Sequence, residues 1–402
     1  MNFVIKYIRC LWLAVFLCIA TASCDSDADI PVLTSEGRLL NIGFKMPARN
    51  GTVTEAGVDR ENYIDWSDNA YRIYFFDTNN KFIASFTPEN GIRTKVGSNE
   101  NAIGYEAVGK IPEELIETDM QGSRLIDFKI VVLANWDNYP EVSPGVTTID
   151  VICDAEDAKF DCLTQTDLQG GKWKIPFYGV QEYEGGELTA KTTTLTPSVA
   201  LLRAIAKVEV SLDPTIPDDT DSGSHGAWSD FSITGISIRR YNKTGYCAPT
   251  GVYKREDYPD DPTTAPALHL VDGSNSNEDK SLNFFYQESE NKWIAYVPEY
   301  SNRKDTDVKS FIEMKLNFQL DEDEPYKLYF ADYSGGTTPT SSGIDLIRNN
   351  IYRFTVSKKG YGMQLYVSDW EGYYENNFEY GDGQFTTPVA PWEDEIGNPV
   401  EY

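Results

Sequence analysis

Histidine is nearly absent from this 402-residue chain, which carries two, His225 and His269. Neither stands beside a Ser or Cys nucleophile motif, and neither GxSxG nor HExxH occurs, so the usual signatures of nucleophilic and zinc-dependent hydrolysis are missing. Cysteine is scarce as well: of six, Cys10, Cys18 and Cys24 fall within the first 24 residues. The remaining three, Cys153, Cys162 and Cys247, are odd in number, which argues against a disulfide-built scaffold. Cys153 and Cys162 are close enough in sequence to pair across a turn. No CxxC spacing exists, so the thiols do not read as a metal site. Positive charge is in short supply: 35 Lys and Arg stand against 63 Asp and Glu, a net charge of −28. So acidic a chain repels nucleic acid and anionic membrane surfaces. Beyond residue 20 no apolar run approaches the roughly 20 residues that a spanning helix needs.

What is present begins at the N-terminus. Lys6 and Arg9 form a basic region, Leu11 to Ala20 an apolar one, and Thr21-Ala22-Ser23 lead into Cys24. This is the grammar of a removable signal, and a cysteine directly after small residues marks a bacterial lipoprotein precursor. Residues 1–23 are therefore read as a signal peptide, Cys24 as the lipidated residue, and 24–36 as an acidic tether opened by Asp25, Asp27 and Asp29. Removing Lys6 and Arg9 with the signal takes the net charge from −28 to −30. Lipid on Cys24 would be the sole membrane attachment, and stable anchoring takes more than one acyl chain.

The rest of the chain reads as β. Short aromatic or β-branched runs are bounded by Gly, Pro, Asn and Asp: Leu39–Phe44, Tyr71–Phe76, Phe82–Phe86, Phe128–Ala134, Ala206–Leu212, Phe231–Ile238, Trp293–Val297, Phe311–Leu320, Ile351–Val356 and Met363–Val367. The turn Asp77-Thr78-Asn79-Asn80 joins the second and third into a hairpin, and Phe128–Ala134 has the unbroken apolar run of a strand buried on both faces. Only Pro112–Met120 and Thr164–Gln169 suggest short helices. Strands separated by turn-rich connections favour β-sandwiches over a parallel α/β sheet. The run Asp213–Gly226, rich in Pro, Asp, Ser and Gly, marks a linker. The expected order is thus an N-terminal sandwich over 37–212, a linker over 213–226, a C-terminal sandwich over 227–375 and an acidic tail over 376–402.

Chemistry is hard to place on this frame. Asp25, Asp27 and Asp29 alternate like a calcium loop but lack its Gly and terminal Glu, and Asp218, Asp219 and Asp221 are loop acids of the kind water solvates. No metal site and no cofactor is expected. A pair of catalytic carboxylates has 63 acids to choose from and nothing that selects two. The 25 Tyr, 19 Phe and 8 Trp suit either sandwich cores and cross-strand pairs or an exposed sugar-binding surface, which keeps a carbohydrate-binding lipoprotein as the alternative.

Several segments, in order, resemble the fimbrillins, the subunits of type V pili. They are Leu39–Arg49 (LLNIGFKMPAR), Asn69–Asp77 (NAYRIYFFD), Val131–Trp136 (VVLANW), Ile175–Gly179 (IPFYG), Leu201–Val210 (LLRAIAKVEV), Tyr296–Glu299 (YVPE), Arg348–Val356 (RNNIYRFTV) and Leu365–Trp370 (LYVSDW). The resemblance implies an all-β chain of two β-sandwich domains with Greek-key, transthyretin-like topology. It also implies a non-enzymatic life cycle. The precursor reaches the outer-membrane surface as a lipoprotein, and an Arg/Lys-specific protease removes the lipidated leader with the first strand. A C-terminal strand of another fimbrial subunit then fills the groove. Because groove and donor are different surfaces, such contacts run head to tail and build a fibre.

On this chain the cleavage residue is expected to be Arg49, which follows the first strand and precedes the turn-like Asn50-Gly51-Thr52. Lys45 lies within the strand, and a cut at Arg38 would leave it in place. The donor is expected around Met363, Leu365, Val367 and Trp370. About twenty-five residues follow, with Pro388, Pro391 and Pro399, more than shaft subunits of this family usually carry after the Trp. A non-polymerising anchor, which keeps its lipid, or a tip subunit, which lacks a usable donor, is the corresponding variant of the reading.

Overall fold

A computed structural model of the chain describes residues 38–46, 60–67, 69–96, 103–119, 122–155, 157–163, 173–188, 192–195, 197–212, 232–249, 281–288, 291–299, 310–316, 325–330, 345–359, 364–374 and 391–393. The protein is all-β. Strands are numbered along the chain. One sheet has the order β25 (Pro391–Glu393), β12 (Thr192–Leu195), β1 (Leu39–Lys45), β5 (Ile103–Lys110), β4 (Ile92–Val96), with β13 (Ser198–Ala200) also on β1. A second runs β14 (Leu202–Arg203), β10 (Phe177–Tyr183), β8 (Phe128–Ala134), β2 (Tyr71–Phe76), β3 (Phe82–Ser85). These two share one core, which includes Leu40, Ile42 and Phe44 of the first sheet and Ile73, Phe75, Val132 and Phe177 of the second. A small flanking sheet is made by β11 (Glu187–Leu188), β7 (Gly122–Leu125) and β6 (Ile116–Asp119).

The second half repeats the scheme. One sheet is ordered β19 (Phe285–Gln287), β20 (Lys292–Pro298), β15 (Ile205–Leu212), β23 (Asn350–Lys359), β24 (Gln364–Tyr374). The other is β18 (Ser281–Asn283), β16 (Ile233–Arg239), β21 (Phe311–Leu316), β22 (Tyr326–Tyr329). They enclose a separate core of Val208, Val210, Ile238, Ile312, Met314 and Phe354, among others. A two-stranded ribbon, β9 (Lys159–Asp161) with β17 (Thr244–Tyr246), stitches the two halves.

Local chemistry explains many of the elements. The β2–β3 turn is held by Asp77, whose carboxylate accepts from Asn79 N and Lys81 N at 2.8 Å each, while Asn80 takes the left-handed conformation at φ 62° that Asn tolerates. Strand β8 is buried along its whole length because β2 and β10 flank it and both its faces are covered. It ends where Asn135 turns left-handed at φ 60°. There the Asn135 amide donates to Tyr63 O (2.7 Å) and Ile175 O (2.9 Å) and its Oδ1 accepts from Asp65 N (2.9 Å).

The structure corrects several expectations. Strand β15, which the sequence reading assigned to the end of the first domain, is the central strand of a second-half sheet, pairing with β20 and β23. Around Pro112–Met120 the chain makes one 3-10 turn, Glu113–Leu115, and then turns into β6, because Gly122, at φ 139°, allows a hairpin with β7. A helix does occur at α1 (Ile149–Cys153), where Thr148 accepts from Val151 N. Cys153 and Cys162 form no disulfide, since Cys153 faces the first core and Cys162 the second. The predicted helix over Thr164–Gln169, the linker 213–226 and both histidines lie outside the described residues, as do the signal, Cys24 and Arg49.

Candidate assembly groove

The first strand occupies an interior lane. On one side β1 pairs with β5 along its full length, antiparallel, from Leu39↔Lys110 to Lys45↔Gly104. On the other side it runs parallel to two short strands, meeting β12 at Leu39↔Thr194 and Leu40↔Leu195, and β13 from Gly43↔Ser198 to Lys45↔Ala200. The parallel partner breaks near Pro197, which has no N–H to give a ladder. The Pro197 carbonyl still serves the lane, accepting from Gly43 N at 2.8 Å, and Leu201 N donates to Lys45 O at 2.9 Å.

Both faces of the lane are covered. Leu40, Ile42 and Phe44 are fully buried, worth about 1.5–3 kcal/mol each in area removed from water. The Phe44 ring stacks on Trp66 at 5.3 Å, and Trp66 leans on Tyr105 at 5.0 Å. On the opposite face Asn41 is buried, and its amide donates to Glu106 Oε2 at 3.3 Å. The lane is closed from beneath by β10. A Cβ on Gly179 would stand 2.6 Å from Ala200 O, so only glycine lets β13 pass so close to β10. The Tyr183 hydroxyl donates to Ser198 O, tying the two strands further. The Ile175–Gly179 and Leu39–Arg49 segments thus belong to one construction.

Of the basic residues near this strand, Arg38 is buried and Lys45 lies in the ladder, where burial pushes its ammonium pKa down. The connection 47–59, with Arg49, leads from β1 to the turn Arg60–Asn62, which is firmly seated. Glu61 Oε1 meets Lys207 Nζ at 2.7 Å and accepts from the Tyr296 hydroxyl at 2.6 Å. Arg203 reaches Glu61 O (3.1 Å), Asn62 Oδ1 (2.8 Å) and Asn349 Oδ1 (3.3 Å). Burial alone would raise the Glu61 pKa, but Lys207 and Arg203 overcome it and bring it from 4.5 to about 2. This polar junction joins the first half to β15, β20 and the start of β23. Nearby, the buried Arg348 binds Glu299 Oε1 at 2.6 Å and the carbonyls of Cys247 and Tyr246 at 2.9 Å each, which unites the YVPE and RNNIYRFTV segments.

Of the expected donor residues, Leu365, Val367 and Trp370 lie on β24, and Met363 falls outside the described residues. Strand β24 is the end strand of its sheet, antiparallel to β23. Farther along the tail, β25 pairs with β12, Leu195 facing Pro391. Trp66, Tyr105 and Glu106, which line the lane, were not singled out from sequence, for nothing local marks them. Among the described residues no group of three His, Cys, Asp or Glu could hold a metal, and no helix is long and apolar enough to cross a membrane.

No family model matches the chain, and no curated protein matches it. Among solved structures it is similar to a fimbrial assembly protein from Parabacteroides distasonis, with 13% identity over 82% of this chain and 95% of that one and a TM-score of 0.46. It is also similar to the C-terminally truncated tip fimbrial protein Mfa3 from Porphyromonas gingivalis, with 12% identity, 83% and 100% coverage and a TM-score of 0.46. A fimbrilin from Porphyromonas gingivalis follows, with 13% identity, 83% and 92% coverage and a TM-score of 0.40.

Proposed function

We propose that this chain is a structural subunit of a surface fibre with a role in adhesion, delivered as a lipoprotein and polymerised by protease-triggered donor-strand exchange. The observation that carries this reading is the place of β1: an interior strand whose connection to the rest of the fold, 47–59, contains the basic residue Arg49. Cutting there falls after Lys45, the last residue of β1, and so separates β1 from the rest of the fold. Loss of β1 then exposes the facing backbone groups of β5, β12 and β13 together with an apolar trough, and such an edge invites another strand. A donor strand of a second copy restores the hydrogen bonds and the buried area at once. Lipid on Cys24 leaves with β1, so it acts as a delivery tag in a shaft subunit and as an anchor in a subunit that escapes cleavage.

The test is to incubate purified precursor with trypsin. Clipping at Arg49 followed by SDS-resistant ladders is expected, and Arg49→Ala should remain a lipid-bound monomer. Ladders from Arg49→Ala would refute the cut site. An intact chain that instead binds polysaccharide on an affinity gel would favour the carbohydrate-binding alternative.

A further inference from the structure

The lane imposes a pattern on whatever fills it. Positions 40, 42 and 44 of β1 must be apolar, because Leu40, Ile42 and Phe44 are fully buried. Position 41 carries a hydrogen-bond donor, which Asn41 aims at Glu106 Oε2. Position 43 is glycine, directly across from Glu106. The pattern is apolar, donor, apolar, small, large aromatic: Leu40-Asn41-Ile42-Gly43-Phe44.

The same chemistry recurs at Leu365-Tyr366-Val367-Ser368, with Trp370 arriving one residue late, after Asp369. The backbone of β24 already makes room for that extra residue. Arg353 faces Glu371 while Thr355 faces Ser368, so three steps on β24 are matched to two on β23. A bulge of this kind resets the period-2 count, and the apolar series 365, 367 continues at 370 rather than at 369.

We infer that Leu365–Trp370 of a second copy replaces Leu40–Phe44 in the same direction and register, an assignment that rests on the donor-strand reading above. Leu365 takes the place of Leu40, Val367 that of Ile42, and Trp370 that of Phe44 against Trp66. Ser368 takes the place of Gly43. Tyr366 replaces Asn41, its phenol donating to Glu106, which makes Glu106 the residue that selects the donor's polar position. Strand β24 must first leave β23, which is open to it because it lies at the end of its sheet. The outer edge of β12, where β25 pairs, is the competing berth for a C-terminal strand, and it would not produce this register.

Cross-strand neighbours have Cα separations that a disulfide spans, so the register can be read covalently. Ala107 faces Ile42 and Tyr105 faces Phe44. In trypsin-clipped, oxidised polymer, the pairs Ala107→Cys with Val367→Cys and Tyr105→Cys with Trp370→Cys should each give a covalent dimer that survives boiling in SDS without reductant. A dimer from Tyr105→Cys with Leu365→Cys instead means the donor runs the other way and overturns the inference. Ladders without any of these dimers overturn the register while leaving the fibre reading standing, whereas the absence of ladders from the wild-type chain removes both. As a second measurement that needs no variant of the folded chain, a synthetic peptide of residues 362–372 should bind the clipped wild-type protein. Its Tyr366→Phe form should bind about tenfold more weakly, from the loss of a charge-assisted hydrogen bond. Equal binding of the two peptides overturns the role of Glu106.

Discussion

Strands β1 and β15 hold the same position in two sheets built alike. Each has a full-length antiparallel neighbour on one side, β5 or β20, and a parallel neighbour on the other, β12 with β13 or β23. Beyond the parallel neighbour each sheet ends in a strand from the C-terminal part of the chain, β25 or β24. The difference lies in what else binds them. The partner of β15 is continuous from Lys207↔Ile351 to Leu212↔Val356. Two charges on β15 are held by ion pairs: Lys207 to Glu61 and to Glu209, and Glu209 to Lys292 and Arg353. The partner of β1 is broken at Pro197, and its inward face is apolar. A strand tied by apolar contact, a backbone ladder and a hydrogen bond from a neutral amide, Asn41 to Glu106, can be exchanged for another that matches the apolar pattern and supplies a donor there. A strand tied by several buried ion pairs cannot, because its departure would strand charges in the interior.

The comparison can be broken or sharpened by experiment. The largest expected effect is in the second half. Glu299→Ala removes the carboxylate that faces the buried Arg348 guanidinium at 2.6 Å and should cost about 3–5 kcal/mol in urea unfolding, before and after clipping alike. Phe44→Ala should cost about 3–5 kcal/mol in the intact chain and nothing after clipping, because β1 has gone. An equal loss in the clipped protein would mean that β1 stays in its lane. Gly179→Ala, which pushes β13 off β10, should cost about 1–3 kcal/mol and should persist after clipping, since the wall of the groove remains.

The smallest expected effect is a pH dependence. Glu61 has its pKa lowered from 4.5 to about 2 in the folded chain, so its contribution is complete above pH 4.5 and is lost as pH falls toward 2. Thermal unfolding followed from pH 5 to pH 2 should show this slope in the wild type. In Glu61→Gln the slope should be shallower, and an unchanged slope would assign the acid sensitivity to other groups.

Much of the fold was legible in the residues. Tyr71–Phe76 and Phe128–Ala134 are strands with the boundaries read from sequence, because aromatic and β-branched runs closed by Asp-Thr-Asn-Asn or by Asn are local signals. Short elements were misread for the same reason. Glu113–Leu115 has helical residues but too few of them, and β6 wins by pairing with β7. The groove was only half legible. Its strand stood out as LNIGF, while its walls did not. Asn41 and Glu106 are 65 residues apart, and Glu61 and Tyr296 are 235 apart, so no window of sequence contains both members of either pair.

The sequence by itself determined that this chain is acidic and all-β and that Arg49 follows its first strand, since composition, period-2 alternation and short motifs are properties of neighbouring residues. Only the tertiary structure decided that β1 lies between β5 and β12 with β13, that β15 belongs with the second half, and that Cys153 and Cys162 face different cores. Those outcomes depend on which distant edges satisfy each strand's hydrogen bonds and which faces can be buried together, and long-range pairing settles both.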